Sequence, residues 1–166
     1  MKKLLLPLVF VLFVIVSMLV IVNFNKINVK KFENDIYSFN YDSTWKIKED
    51  GINVQLIHKK SKARLNIKYR ELENYFIDVQ LKDIVNEIVD GIMKQNEGYA
   101  LISVDDYFKE DIESYSYLYE KDDEQALVNI YKKDKKLIII YYVNSSNYFD
   151  IVLDSVDSIL NSFEIK

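Results

Sequence analysis

Residues 63–70 read Ala-Arg-Leu-Asn-Ile-Lys-Tyr-Arg, a strict alternation of apolar and polar side chains. Ala63, Leu65, Ile67 and Tyr69 would lie on one side of an extended chain, with basic and amide side chains on the other. A period of two is typical of a strand with one face in a core and the other in solvent. The segment therefore predicts a half-buried strand of an antiparallel sheet.

Other strand-like segments flank this one along the chain. They cover residues 36–42, a segment opened by Trp45, and residues 52–56, 99–106, 113–120, 125–132 and 137–143. The turns between them are short, for example Asp50-Gly51, and short turns require antiparallel pairing. The first two are also compatible with one bent strand. Residues 137–143 are apolar without alternation, which predicts a central strand covered on both faces.

Two segments instead show helical spacing. Residues 78–95 carry an apolar stripe formed by Leu81, Ile84, Val85, Ile88, Val89, Ile92 and Met93. The last helix buries Tyr148, Phe149, Val152, Val156, Ile159, Leu160 and Phe163, after N-cap candidates at 144–147. The predicted order is β-β-β-β-α-β-β-β-β-α. This pattern predicts an α+β domain, an antiparallel β-sheet with two amphipathic α-helices packed on it.

Before this domain lies an uncharged apolar run at residues 4–22. Nineteen residues of helix span roughly 28 Å, close to the ~30 Å hydrocarbon core of a bilayer. The run exceeds a usual signal-peptide core and no small-x-small cleavage triplet follows it. We therefore predict a basic leader at 1–3, a transmembrane signal anchor at 4–22, a basic tether at 23–34 and an α+β domain at 35–166.

The predicted location follows from this anchor. A three-residue leader is easily retained in the cytoplasm. We therefore predict a single-pass protein of the cell membrane with residues 32–166 on the extracytoplasmic side. The positive charges before and after the run are nearly balanced, so the positive-inside rule adds little. Cleavage at an atypical site, giving a secreted protein, is the alternative.

Charge and composition exclude several classes of function. Residues 1–31 hold five Lys and no acid, whereas the rest holds seventeen basic against twenty-six acidic residues, a net charge of −9. An acidic domain repels nucleic acid, while the basic flank suits anionic lipid head groups. There is no Cys, so disulfides, thiol catalysis and a lipid-modified cysteine are excluded. No glycine-rich phosphate loop exists, which disfavours nucleotides. We predict no cofactor.

Three groups of residues are candidate sites. His58 is the only histidine and has no partner identifiable from sequence, so it predicts neither a catalytic pair nor a zinc site. The carboxylates Asp105, Asp106, Glu110, Asp111 and Glu113 lack EF-hand spacing, which favours a solvated acidic loop at 105–113, and cation binding there stays open. We assign no catalytic, cofactor or metal residue.

The third group is a tyrosine ladder formed by Tyr115, Tyr117 and Tyr119 on one face of a strand. Tyrosines combine contact area with a polar tip, which suits peptide or glycan binding. The alternative is that they pack under a helix. The opposite face carries the small Ser114 and Ser116, which makes the tyrosines the predicted buried face.

The residues that open and close the domain resemble those of PsbP-like domains. Residues 37–45, Tyr-Ser-Phe-Asn-Tyr-Asp-Ser-Thr-Trp, are similar to the family's aromatic-x-hydrophobic-x-aromatic-Pro-x-x-Trp opening, with Asp42 in the place of Pro. Residues 159–165 are similar to its terminal helix and apolar tail. The resemblance covers about residues 35–166. It implies a non-catalytic binding or scaffolding domain, as in a photosystem subunit and many bacterial surface lipoproteins of unknown role.

Two further hypotheses remain beside a membrane-anchored binding module of the bacterial cell envelope. One is an envelope hydrolase with paired carboxylates, which needs two facing acids in a cleft. The other is a structural subunit of a membrane complex. The expected partners are the membrane, through residues 4–22, and a protein or envelope component, without nucleic acid or nucleotide.

Overall fold

The computed structural model describes residues 28–95, 98, 100–109 and 112–166. Its first strands are β1 (Val29–Glu33), β2 (Tyr37–Asp42), β3 (Trp45–Asp50), β4 (Asn53–His58) and β5 (Arg64–Glu71). A short 3-10 helix (Asn74–Phe76) leads to α1 (Leu81–Gln95). Then come β6 (Ala100–Lys109), β7 (Ile112–Lys121), β8 (Glu124–Lys133), β9 (Lys136–Ser145), α2 (Ser146–Asn161) and β10 (Glu164–Ile165).

The strands form two antiparallel sheets, where the sequence predicted one. Seven strands pair in the order β3-β4-β5-β9-β8-β7-β6, and a smaller sheet has the order β1-β2-β10. The two predicted strands around residue 43 are therefore separate, because the two-residue turn after Asp42 carries the chain from one sheet to the other. The predicted α+β class with antiparallel strands and two helices is confirmed.

Strand β9 lies at the centre of the large sheet, between β5 and β8, as its continuous apolar sequence predicts. Ile138, Ile140 and Tyr142 face one core, and Leu137 and Val143 face the other. Both faces of this strand are therefore covered by other elements.

One core lies between the large sheet, α2 and the small sheet. It buries the alternating residues Leu65 and Ile67 of β5, as predicted, together with Val152, Val156 and Ile159 of α2. The aromatic residues of β2 also belong to this core, and Tyr37 and Phe39 both stack on Phe163. A continuous apolar interface thus fixes α2 and the small sheet on the same face.

The other core lies under α1, on the opposite face of the large sheet. Leu81, Ile84 and Val85 of the helix are buried there and Val89 is half-buried. The stripe residues Ile88, Ile92 and Met93 have side chains outside the described part. The apolar stripe of the first predicted helix therefore points to the sheet, and Leu81 is its fully buried first residue.

Strand β1 was not predicted, because residues 29–33 fall in the segment assigned to the tether. Val29 pairs with Asp42 and Glu33 with Ser38, so these residues belong to the small sheet. The predicted leader and anchor, with the rest of the tether up to residue 27, lie outside the described residues. Within the described ranges, no helix is long and apolar enough to cross a membrane.

Candidate functional site

A groove of about 840 Å³ opens between the C-terminal end of α2 and strands β6, β7 and β8 of the large sheet. Its sheet side is formed by Asp105, Ile112, Ser114, Tyr115, Ser116, Asn129, Tyr131 and Lys133. Its other side is formed by Asp157, Leu160, Asn161, Phe163, Glu164, Ile165 and Lys166. We call this the serine groove, after Ser114 and Ser116 on its sheet side.

The groove exists because two small side chains, between Ile112 and Leu118, occupy the middle of one face of β7. Ser114 pairs across the strands with Tyr131, and Ser116 pairs with Asn129. The helix α2 packs over β8, β9 and β2 and leaves this end of the sheet uncovered. Serine side chains cannot fill the space that larger residues would occupy beside a helix.

A polar row crosses three strands on the sheet side of the groove. Asp105 of β6 pairs with Ser116 of β7, which pairs with Asn129 of β8. Directly opposite residues have Cβ atoms about 4.5–5.5 Å apart, so a carboxylate, a hydroxyl and an amide lie side by side. Asn129 is among the few buried polar side chains in the described residues. Such a row offers donors and acceptors to a neutral polar ligand.

Aromatic surface lies beside this polar row. Tyr131 stacks on Phe163 with ring centroids 5.6 Å apart. Burial raises the pKa of Tyr131 to about 12, so its hydroxyl stays protonated at neutral pH. Polar groups next to aromatic rings are typical of sites for peptides and sugars.

Three carboxylates, those of Asp105, Asp157 and Glu164, border the groove. Burial raises the pKa of Asp157, and the neighbouring Asp154 carboxylate raises it further. Asp157 is nevertheless exposed to solvent, as are Asp105 and Glu164. These carboxylates lie at the rim, where water stabilises their charge.

His58 lies far from this groove in the fold, at the end of β4. Its Nδ1 is 2.8 Å from the Ser61 hydroxyl and also accepts a bond from the Ser61 backbone N–H, 3.2 Å away. Its ring contacts that of Trp45 edge-on. Burial lowers the pKa of His58, Asp42 opposes this shift, and Lys60 adds to it. The His58 side chain thus stabilises the turn after β4 through its hydrogen bonds with Ser61.

Beside it, a hydrogen-bonded chain ties the turn after β2 to α2. The Trp45 indole donates to the Ser155 hydroxyl at 2.8 Å, and that hydroxyl donates to Asp42 at 2.6 Å. Burial raises the pKa of Asp42, but the bonds from Ser155 and Thr44 outweigh it, and the pKa lies below its usual value. Asp42, which stands where PsbP-like openings have proline, therefore also links the turn after β2 to α2 through Ser155.

The acidic residues at 105–113 do not form the predicted loop, because Asp105 lies within β6 and Glu113 within β7. Asp105 borders the serine groove, whereas Glu113 faces the α1 side of the sheet. The side chain of Asp106 and residues 110–111 lie outside the described part. The Asp105 and Glu113 carboxylates thus lie on opposite faces of the large sheet.

Glu113 instead caps α1. It accepts a hydrogen bond from the Leu81 backbone N–H at 2.5 Å, which satisfies a free N–H at the helix start. Its other oxygen is 3.2 Å from Lys132 Nζ, and Lys132 also donates to the carbonyls of Ile77 and Val79. This network holds the segment that leads into the helix.

The tyrosine ladder packs under α1. Tyr115, Tyr117 and Tyr119 are at most 8% exposed and share the core of Leu81 and Val85. Burial raises the pKa of Tyr119 to about 12, with a smaller effect of Tyr117. The prediction that the tyrosines are the buried face is confirmed.

Among the described residues, no group of three His, Cys, Asp or Glu side chains is arranged to hold a metal ion. The serine groove was not predicted from the sequence, because its two sides come from residues 105–133 and 157–166. Its only signal in the sequence was the pair of serines opposite the tyrosines.

No protein-family model and no curated protein matches the sequence. The fold, however, is shared with solved structures. Cyanobacterial PsbP (CyanoP) from Synechocystis superposes with a TM-score of 0.66 at 15% identity, over 83% of this chain and 92% of that one. The domain thus has the PsbP-like architecture that its opening and closing residues resemble.

Two other structures have the same architecture. The Ran-binding protein Mog1p of Saccharomyces cerevisiae gives a TM-score of 0.60 at 7% identity, over 84% of this chain and 96% of that chain. LpqN of Mycobacterium tuberculosis, described as involved in cell envelope biogenesis, gives 0.55 at 7% identity, over 84% and 92%. The fold is therefore PsbP/Mog1-like.

Proposed function

We propose that this protein is a non-catalytic binding module of the bacterial cell envelope. Residues 4–22 hold it in the cell membrane, and residues 32–166 lie on the extracytoplasmic side. The serine groove is its contact surface for a protein segment or another envelope component. The observation that carries this proposal is the polar row of Asp105, Ser116 and Asn129 beside an aromatic surface.

The chemistry of the groove favours an extended polar ligand. Its hydroxyl and amide groups can both donate and accept, as peptide bonds and sugar hydroxyls require. Tyr131 and Phe163 supply flat apolar area next to them. A site of this kind selects its ligand by hydrogen-bond pattern and shape.

The structural neighbours support a binding role. Mog1p is named a Ran-binding protein, and LpqN is placed in envelope biogenesis. Both proteins share the fold at 7% identity, and their names agree with a binding role and with an envelope location.

A photo-crosslinking residue in place of Asn161 tests the groove. Asn161 lines the groove outside the polar row and is exposed, so its replacement leaves both the row and the core intact. In cells that make the full chain, we expect one discrete adduct, lost on adding Ser116→Trp, which fills the groove, and retained with Ser116→Ala. The same crosslinker in place of Ile151, which is 72% exposed on the outer side of α2, is the control. An adduct unaffected by Ser116→Trp would contradict the proposal.

Location is tested separately. Protease added to intact cells should digest residues 32–166 and leave a short membrane-protected fragment. Resistance until the cells are lysed would place the domain in the cytoplasm and contradict the proposed localisation, whatever the groove binds.

A carboxylate hydrolase is the second candidate, because Asp105 and Asp157 both border the groove and burial raises the pKa of Asp157. A general acid at neutral pH needs a pKa near the working pH, and the exposure of Asp157 works against that. Release of soluble fragments from purified cell-wall glycan, abolished by Asp157→Asn and by Asp105→Asn, would establish the hydrolase. No release by the full chain would leave the binding module.

A further inference from the structure

Five exposed basic side chains of strands β3 and β5 share the outer face of the sheet. They are Lys46, Lys48, Arg64, Lys68 and Arg70, and we call them the basic face. They project from the side of the sheet opposite the α2 core, since Leu65 and Ile67, which alternate with them, point into that core. This end of the sheet also lies beyond α1, which packs on β7.

The cross-strand register gathers these charges. Lys46 pairs with Ile57, and Ile57 pairs with Arg64, so the two cations flank one apolar side chain. In the next row, the Gln55 amide donates to Asn66 at 2.8 Å. With strands about 4.8 Å apart, the face spans roughly 10 Å across three strands.

Within the described part of the chain, none of these five cations forms an ion pair. The opposite side of the sheet is covered by α2, whose sixteen residues include three aspartates and no Lys or Arg. The basic face and the acidic helix α2 therefore lie on opposite sides of the sheet, while α1, on the same side as the basic face, carries exposed Asp83 and Glu87 beside Lys82.

A lysine-rich turn links this face to the start of the described chain. Val29 pairs with Asp42, and two residues later the Thr44 carbonyl accepts a bond from the Lys59 backbone N–H at 2.9 Å. Exposed lysines in this turn are Lys59, Lys60 and Lys62. The chain that follows the apolar run at 4–22 thus joins the domain at the same end as these lysines.

We infer that the basic face and the lysine turn dock on the anionic phospholipid head groups of the membrane that holds residues 4–22. This inference rests on the proposed membrane attachment. Clusters of Lys and Arg next to a membrane segment are attracted to anionic lipid, and the attraction falls off within a Debye length. Tethering through a short segment gives the face a high effective concentration at that surface.

Docking in this orientation has a consequence for the serine groove. The groove lies on the α2 side of the sheet and at its other edge, near β6 and β7. A domain lying on its basic face therefore turns the groove away from the bilayer. The acidic helix also faces away, where repulsion from anionic lipid is weakest.

The test uses the full chain in vesicles, with single-cysteine labels that are unique because the sequence has no Cys. A fluorophore goes on Asn66→Cys, inside the basic face, and as a control on Ser158→Cys, exposed on α2. Vesicles contain phosphatidylcholine alone or with about a third phosphatidylglycerol, plus a head-group nitroxide quencher. Flotation first measures whether the protein stays with the vesicles.

With phosphatidylglycerol, we expect quenching at residue 66 to exceed that at residue 158 by about threefold or more. The difference should vanish in phosphatidylcholine, or in about 1 M salt, where the Debye length is ~3 Å. The variant K46Q/K48Q/R64Q/K68Q/R70Q should lose it, whereas D150N/D154N/D157N should keep it.

The outcomes distinguish failure of the docking inference from failure of the proposed membrane attachment. Protein that fails to float with vesicles contradicts the proposed attachment, and docking with it. Protein that floats but shows equal quenching at residues 66 and 158, or the same difference without anionic lipid, overturns docking alone. Retention of the difference in the five-site variant would also overturn it.

Discussion

The two faces of strand β7 differ in side-chain size and, as a result, in what they do. On one face Tyr115, Tyr117 and Tyr119 fill the space under α1 and form a core. On the other, Ser114 and Ser116 leave the space that becomes the serine groove. A row of tyrosines is compatible with ligand binding, but these three tyrosines pack in the core under α1. In a sheet covered by helices, small side chains mark where a ligand has room.

The largest expected effect comes from emptying the tyrosine face. Tyr117→Ala should lower the free energy of unfolding by about 3–4 kcal/mol, because it leaves a cavity under α1. On the opposite face of the same strand, Ser116→Ala should change it by less than about 0.5 kcal/mol. Urea unfolding followed by circular dichroism measures both. Equal losses would mean that the serine face is packed as tightly as the tyrosine face.

Lys132 and Lys133 test the same difference between the α1 face and the groove face, because neighbouring residues of β8 point to opposite sides of the sheet. Lys132→Met removes a side chain that donates to Val79 and Ile77 and pairs with Glu113, and should cost about 2–3 kcal/mol. Lys133→Met, at the groove, should cost less than about 1 kcal/mol. Thermal and urea unfolding of the matched pair test this. A costlier Lys133 change would refute the assignment of the buried network to the α1 face.

Two buried tyrosine hydroxyls give a smaller, opposite pair of effects. The Tyr142 hydroxyl donates to the Phe149 carbonyl at 3.0 Å, so Tyr142→Phe should cost about 1 kcal/mol. The Tyr119 hydroxyl is buried and has no hydrogen-bond partner among the described residues. Tyr119→Phe should therefore be neutral or stabilise by up to about 1 kcal/mol. If Tyr119→Phe destabilised as much as Tyr142→Phe, its hydroxyl would have a native partner.

The smallest effect concerns the rim of the groove. Because the folded-state pKa of Asp157 is raised, its contribution to stability is fully present below the unfolded-state value and is lost as pH rises through the folded-state pKa. Asp157→Asn should thus be more stable than the native chain by a few tenths of a kcal/mol at pH 7, and equal to it near pH 3. Unfolding curves at both pH values check this. An Asn variant that is less stable at pH 7 would contradict the sign.

Much of the fold follows from local patterns. The alternation at 63–70 predicts a half-buried strand, and the apolar run at 137–143 predicts the central strand, because each pattern reflects which faces are covered. Strand β1 escaped prediction, since its side chains are mostly exposed and its pairing with β2 satisfies the backbone. The division into two sheets was also not predicted, because it depends on how the chain bends after Asp42.

The candidate site was less predictable than the fold. The tyrosine ladder could be assigned to the core from the small residues opposite it. The groove needs the end of α2 to stop short of β6 and β7, a tertiary relation that no local pattern encodes. Glu113 illustrates the same point: in sequence it belongs to an acidic cluster, and in the fold it caps a helix.

If the serine groove is the contact surface for a partner, that partner covers it in native membranes. Thiol labelling of Ser116→Cys tests it most directly, because the chain has no other cysteine. We predict slow labelling in native membranes and faster labelling of the purified full chain, while Ile151→Cys labels equally in both. Equal labelling of Ser116→Cys in membranes and after purification would contradict the claim.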